Sequence, residues 1–220
     1  MRALAPNAAG RTAGAAPATA ASIASMNGSD DGVTDVQPKR QASGPAPAAA
    51  PPSTPATRPS ARFMGRHPAH WIALGFGCGL SPIAPGTAGT LWAWLAWTVL
   101  GLWLTPAQLG WLLAALLPLA WWSSTVTARH LGMADPGAIV IDEVLAFWIV
   151  LWLLLPAGFW AQALAFALFR FFDAAKPGPV GWADRLLHGR GGWAGGFGIL
   201  FDDLVAAFCT LLVIALWRWG

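Results

Sequence analysis

From residue 88 onward the chain is a succession of five apolar runs with short breaks between them. No other feature narrows its fold as much. The runs cover about Ala88–Leu104, Ala107–Thr127, Ile139–Leu155, Phe159–Phe172 and Ile199–Trp217. A helix crossing about 30 Å of hydrocarbon needs about 20 residues, with a range of about 17–25. The second and fifth runs meet this easily and the first and third narrowly. The fourth spans about 21 Å at the helical rise, so it either re-enters the bilayer or starts earlier, at Pro156. Only 10% of the residues are charged, against about 25% in a soluble domain. The expected fold is all-α, a multi-pass membrane helical bundle of about four to five apolar helices.

Residues 1–61 are a different material, rich in Ala, Pro, Ser, Thr and Gly. Such a stretch buries too little surface to offset chain entropy, so it is expected to be a disordered cytoplasmic tail. It has no apolar core of a secretory signal. Residues 62–220 form the expected membrane domain. A net charge of +3 without a Lys/Arg cluster excludes a nucleic-acid footprint. Cys78 and Cys209 form no CxxC pair and read as apolar fillers. The four histidines show no HxxxH or similar spacing, and most of the 15 Trp read as lipid-facing or interfacial anchors.

Charge sets the sidedness. The breaks at Leu104-Thr105-Pro106 and Pro156-Ala157-Gly158 carry no charge. Arg62, Arg66, Arg129, Arg170, Lys176, Arg185 and Arg190 all fall on the other side if every run crosses, and only Arg218 lies opposite. Positive residues mark that side as cytoplasmic.

From Ala61 to Gly220 there are seven acidic side chains, four of them in the adjacent pairs Asp142-Glu143 and Asp202-Asp203. Each pair is expected in the first turn of its helix, where the dipole favours negative charge. Asp173 ends the fourth run. Chain parity thus brings all five acids to the cytoplasmic face, provided the fourth run crosses. Acids inside membrane helices are expensive and mark functional sites. Carboxylates that keep waters for a phosphate ligand suit Mg²⁺, whereas zinc favours Cys or His. The plainer alternative is helix capping. Asp135 is expected to cap a turn and Asp184 to pair with Arg185 or a neighbour.

In Arg170-Phe-Phe-Asp173-Ala-Ala-Lys176-Pro177 the spacing of three puts the charged residues on one helical face. Arg170 and Lys176 are then candidate phosphate ligands, or partners in a salt-bridged helix end. The run from Gly75 to Thr90 offers close backbone approach and a helix N-terminus to an anion, with Gly86, Thr87 and Thr90 as candidate contacts. A plain turn has the same composition. The second Gly-rich run, residues 188–198, reads as a mobile loop, a lid or a hinge.

Taken together, these motifs resemble the phosphatidylglycerophosphatase A family. The resemblance is carried by Gly77-Cys-Gly-Leu-Ser-Pro-Ile-Ala-Pro-Gly-Thr87, Ile139-Val-Ile-Asp-Glu143, Phe169-Arg-Phe-Phe-Asp-Ala-Ala-Lys-Pro177, Trp182-Ala-Asp-Arg185 and Asp202-Asp-Leu-Val-Ala206. It implies a Mg²⁺-dependent phosphatase of the bacterial inner membrane, acting on the lipid phosphatidylglycerophosphate. Asp142, Glu143, Asp173, Asp202 and Asp203 would be its metal and catalytic residues. Other phosphatase signatures are missing: Cys78 and Cys209 are followed six positions later by Ala84 and Ala215, where a phosphocysteine enzyme needs Arg. The rival expectation is a non-enzymatic cation-binding transporter, which would spread its acids through the membrane depth.

Overall fold

The computed structural model describes residues 58–187 and 189–219. The expected tail lies outside the described residues apart from residues 58–61, where Ala61 already opens the first helix. All regular structure among the described residues is helical: α1 Ala61–Met64, α2 Pro68–Ala73, a 3-10 turn Gly75–Leu80, α3 Pro85–Leu100, α4 Pro106–Leu131, α5 Ile141–Leu153, α6 Phe159–Ala175, α7 Pro179–Leu187 and α8 Gly192–Trp219.

Local chemistry explains the boundaries. Thr105 and Gln108 form a capping box at the start of α4, with Pro106 in the first helical position. That pairing satisfies orphan donors, and Pro has no amide to lose there. At the far end Gly132 takes a left-handed φ of 66°, the usual glycine stop. Ala84 (φ 48°) precedes Pro85 at the start of α3, and Lys176 (φ 45°) closes α6 before Pro177. A left-handed conformation is costly for a residue with a Cβ, about 1–2 kcal/mol, and at Lys176 it serves the site described below.

Long helices consecutive in the chain run antiparallel. The end of α5 meets the start of α4 where Trp152 Nε1 donates to the Pro106 carbonyl at 2.9 Å. The connection from α5 to α6 shares a cleft with Trp217 and Arg218 of α8. The starts of α3 and α5 and the end of α6 gather at the opposite end. α5 is the axis of the bundle, buried on nearly all sides, with Phe147 inaccessible and Trp148 Nε1 donating to the Ala93 carbonyl at 2.7 Å. A helix apolar all round belongs in an interior.

Two helices, α4 with 26 residues and α8 with 28, are long and apolar enough to cross a membrane. α3, α5 and α6 have 16, 13 and 17 residues. Small residues bring α4 and α8 close together beside the packing of Trp121 on Trp193 and Phe197. Ser123, Ser124, Thr125 and Ala128 are buried on α4, and Gly195 and Gly196 on α8. A Cβ at Gly196 would run into the side chain and backbone of Thr125. Lipid tails give apolar helices little reason to associate, so close backbone approach supplies the attraction. The outer surface is rich in exposed aromatics, including Trp103, Trp111, Trp160 and Trp217. Exposed apolar area on this scale marks a surface that contacts lipid or protein. Trp97 and Trp148, by contrast, are core residues.

The fifth run begins earlier than its composition suggests. α8 starts at Gly192, so residues 192–198 are helix instead of the expected mobile loop, and no acid stands in its first turn. Asp202 and Asp203 therefore lie inside the helix. The glycines that suggested a loop provide clearance: a Cβ at Gly195 would strike the Arg190 carbonyl, and one at Gly198 the Leu187 side chain at 2.9 Å.

Candidate functional site

Three helices bring the acids together. Asp142 and Glu143 stand in the first turn of α5, as expected, and Asp203 reaches them from the middle of α8. Asp142, Glu143 and Asp203 each offer a carboxylate oxygen within 4.8 Å of the others. Asp142, Asp202 and Asp203 have relative exposures of 9%, 7% and 3%. Glu143 Oε2, Asp202 Oδ1 and Asp203 Oδ2 are buried without a hydrogen-bond partner. Buried polar atoms are normally satisfied, and an orphaned one calls for an explanation such as an ion. The orphaned oxygens of Glu143 and Asp203 lie in the cluster and that of Asp202 beside it, and carboxylate oxygens are the ligands a hard divalent cation takes. The residues fit Mg²⁺.

Cations flank this cluster. Arg170 pairs with Asp173 one turn along α6 and lies 3.8 Å from Glu143. Asp173 thus stands beside the site, paired with Arg170, and is not one of the three clustered acids. Lys176 leaves the helical path at its left-handed φ, and its Nζ donates to Asp184 Oδ1 and Asp202 Oδ2, each at 2.6 Å. Burial opposes its charge, but the two carboxylate hydrogen bonds outweigh burial and raise its pKa above the ordinary lysine value. Asp184 was expected to pair with Arg185 or another neighbour; its partner is Lys176, which also holds Asp202. Spacing gave no signal for this, because the contact depends on the turn between α6 and α7.

The first turn of α3 forms the remaining wall. A Cβ at Gly86 would overlap Glu143 Oε1 and lie 3.2 Å from both terminal nitrogens of Arg170. Gly86 thus lets backbone amides come up against the site. The Gly86 and Thr87 amides have no intrahelical acceptor, and α3 has no side-chain cap. Thr87 is partly exposed. Thr90 is fully buried and donates its hydroxyl to the Gly86 carbonyl at 2.9 Å, so it supports the turn from within its own helix. Glycines 75, 79 and 89 clear space for Ala138 and Val140, the segment leading into α5. They serve packing, where composition suggested anion contact.

The histidines hold a surprise for sequence reasoning. His70 Nε2 and His130 Nδ1 share a hydrogen bond of 2.9 Å, and the His67 ring lies 5.5 and 5.6 Å from those two. They join α2 to the end of α4. Cys78 and Cys209 are free thiols.

The arrangement defines an all-helical protein whose buried acids, Arg and helix N-terminus converge on one end of a bundle, a site suited to a cation and a phosphate. Comparison with known proteins narrows this class. Residues 71–218 match the family model "Phosphatidylglycerophosphatase A". Phosphatidylglycerophosphatase A of Escherichia coli (strain K12) is 41% identical over 142 residues, covering 64% of this chain and 77% of that protein. Its namesake in Haemophilus influenzae is 39% identical over 159 residues, 70% of this chain and 91% of that protein. A Bacteroides thetaiotaomicron protein named "Putative phosphatidylinositol-3-phosphatase" is 38% identical over 154 residues, 67% of this chain and 92% of that protein. No solved structure matches the chain. The chain belongs to the phosphatidylglycerophosphatase A family. It is an enzyme, a phosphatase.

Proposed function

We propose that this enzyme hydrolyses phosphatidylglycerophosphate to phosphatidylglycerol and phosphate, with Mg²⁺, at the cytoplasmic face of a bacterial inner membrane that it crosses several times. The observation that carries this reading is the cluster of Asp142, Glu143 and Asp203, with orphaned oxygens on Glu143 and Asp203, set against Gly86 and Arg170. Those three acids would hold the ion, with Asp202 beside them. Bound there, Mg²⁺ supplies charge stabilisation to a phosphomonoester and its attacking water.

The chain's own groups account for the rest. A guanidinium has five N–H donors, so Arg170 keeps donors for phosphate oxygens while paired with Asp173 and Glu143. Lys176 has used two of its three protons on Asp184 and Asp202, so it positions Asp202 and has one donor left for substrate. The Gly86 and Thr87 amides face charge that grows on the phosphate during attack, which is electrostatic stabilisation of the oxyanion-hole kind. One carboxylate of the cluster accepts the proton of the attacking water. The water oxygen bonds to phosphorus, and the lipid alkoxide leaves and takes up a proton.

Sidedness supports the cytoplasmic reading. The acids gather at the end that carries most of the cations, and Arg218 sits at the other. A cation carrier needs acids along its path through the bundle, and this grouping at one end disfavours it. The testing experiment is phosphate release from phosphatidylglycerophosphate in detergent with Mg²⁺, using wild type, Asp142→Asn and Asp202→Asn. Release by wild type and its loss in both variants is expected. Unchanged release in both variants defeats the metal assignment, and no release by wild type defeats the enzymatic one. Phosphatidylinositol 3-phosphate is the comparison substrate, because the Bacteroides relative is named for it; faster release from it would reassign the headgroup.

A further inference from the structure

Beside the site, α3 and α6 part to leave a groove of about 430 Å³ lined by Leu91, Trp94, Leu95, Thr98, Phe159 and Gln162. We propose that this groove holds one acyl chain of the lipid whose phosphate sits at Gly86 and Arg170. The proposal rests on the lipid-phosphatase reading and adds to it the part of the enzyme that recognises the tail.

Position is the first argument. Both walls of the groove belong to helices whose other end reaches the phosphate site. On α3, Thr87, Leu91, Leu95 and Thr98 follow one another at helical spacing, so the groove opens about 6 Å below Thr87 and ends about 17 Å below it. On the antiparallel α6, Arg170 stands two turns from Gln162 and three from Phe159. The terminal phosphate of the lipid is separated from its acyl chains by the rest of the headgroup, and the groove, about 6–17 Å below Thr87, lies at a matching remove from the phosphate site.

Chemistry is the second argument. The groove contains polar side chains, but their hydrogen-bonding groups are already engaged. Trp94 Nε1 donates to Gln162 Oε1 at 2.7 Å, Gln162 Nε2 donates to the Ala157 carbonyl at 2.8 Å, and the Thr98 hydroxyl donates to the Trp94 carbonyl at 3.0 Å. These pairs fix the floor and leave few polar groups free for a ligand. Trp94 also stacks on Phe159 and Phe166, with ring centres 5.5 and 5.7 Å away. Leu91, Leu95 and Phe159 remain 49%, 65% and 65% exposed. An occupant of this surface gains chiefly from apolar contact, and an acyl chain continuous with a headgroup at Arg170 fits that requirement.

The test has two arms. In mixed micelles, Leu95→Trp fills the groove and is compared with wild type on dihexanoyl and dipalmitoyl phosphatidylglycerophosphate. KM for the dipalmitoyl lipid should rise about fivefold or more, the effect of one or two methylenes losing their contacts, while kcat and the dihexanoyl reaction stay near wild type. Equal effects on both lipids, or none on either, overturn the proposal even with wild-type release intact. The second arm uses unmodified enzyme and a phosphatidic acid with a diazirine at the end of one acyl chain. Cross-links should fall on Leu91–Thr98 and Phe159–Gln162 and disappear with excess phosphatidic acid but not with phosphatidylcholine of the same chains. Labelling spread around the bundle, or displaced equally by phosphatidylcholine, shows surrounding bulk lipid and overturns the proposal. This arm needs no catalytic activity, so its failure is separable from failure of the phosphatase reading.

Discussion

Replacing Gly86 by Ala separates catalysis from stability. The residue is buried in the first turn of α3, and its φ is not left-handed, so alanine fits the backbone. Alanine also favours a helix over glycine by about 0.8–1.0 kcal/mol in an interior position, and by less in a first turn. The added methyl meets Glu143 Oε1 and lies 3.2 Å from both Arg170 terminal nitrogens. These are the ends of flexible side chains, so they can move aside and the fold survives. Their movement disrupts the site, because Glu143 belongs to the acid cluster and Arg170 is tied to Asp173. A misplacement of about 1 Å at a reacting centre costs about 10²-fold, or about 2.7 kcal/mol in the barrier. Thermal unfolding in detergent should give a midpoint equal to wild type or slightly higher, while kcat/KM for phosphate release falls about 100-fold. Wild-type activity in Gly86→Ala would refute the placement of Glu143 and Arg170 in the reaction. A fall in midpoint in step with activity would make Gly86 a packing residue and nothing more.

Two other perturbations follow from the same geometry. Asp184→Ala removes one of the two carboxylates on Lys176; kcat/KM should fall about tenfold, the scale of one hydrogen bond to a charged group, and an unchanged value would remove Asp184 from the positioning of Asp202. The histidine contact makes stability depend on pH. Burial lowers the His70 pKa below 6.5, aided by His130, His67 and Arg66 and opposed by the bond to the Phe63 carbonyl. The unfolded chain therefore binds the extra proton more readily, and stability falls as pH drops through about 6.5. The unfolding midpoint should decline from pH 7.5 to pH 5, and less steeply in His70→Asn; equal slopes would show that His70 does not contribute.

The helices were largely legible in the sequence because apolar runs and their punctuation are local. Pro106 with Thr105 starts α4, and the fourth run, read as 159–172, is α6 at Phe159–Ala175. The start of α8 was not legible. Glycine reads as loop by composition, and only the partner surface shows that Gly195, Gly196 and Gly198 clear space for Arg190, Thr125 and Leu187. Parity of the runs brought all five acids to one end but singled out neither the grouping of Asp142, Glu143 and Asp203 nor the turn of Asp202 to Lys176. Adjacent residues on a helix point about 100° apart, so Asp202 and Asp203 were bound to face different partners. The same non-locality hid the histidine contact, which joins residues 60 positions apart.

The proposed binding of a divalent cation by Asp142, Glu143 and Asp203 is open to direct measurement. Equilibrium titration with Mn²⁺, a hard-ligand substitute for Mg²⁺ with an electron paramagnetic resonance signal, tests it without turnover. Wild-type protein in detergent should show saturable binding that Mg²⁺ displaces, weakened about tenfold or more in Asp203→Asn. Identical binding by wild type and Asp203→Asn, or no binding by an enzyme that still releases phosphate, would contradict it.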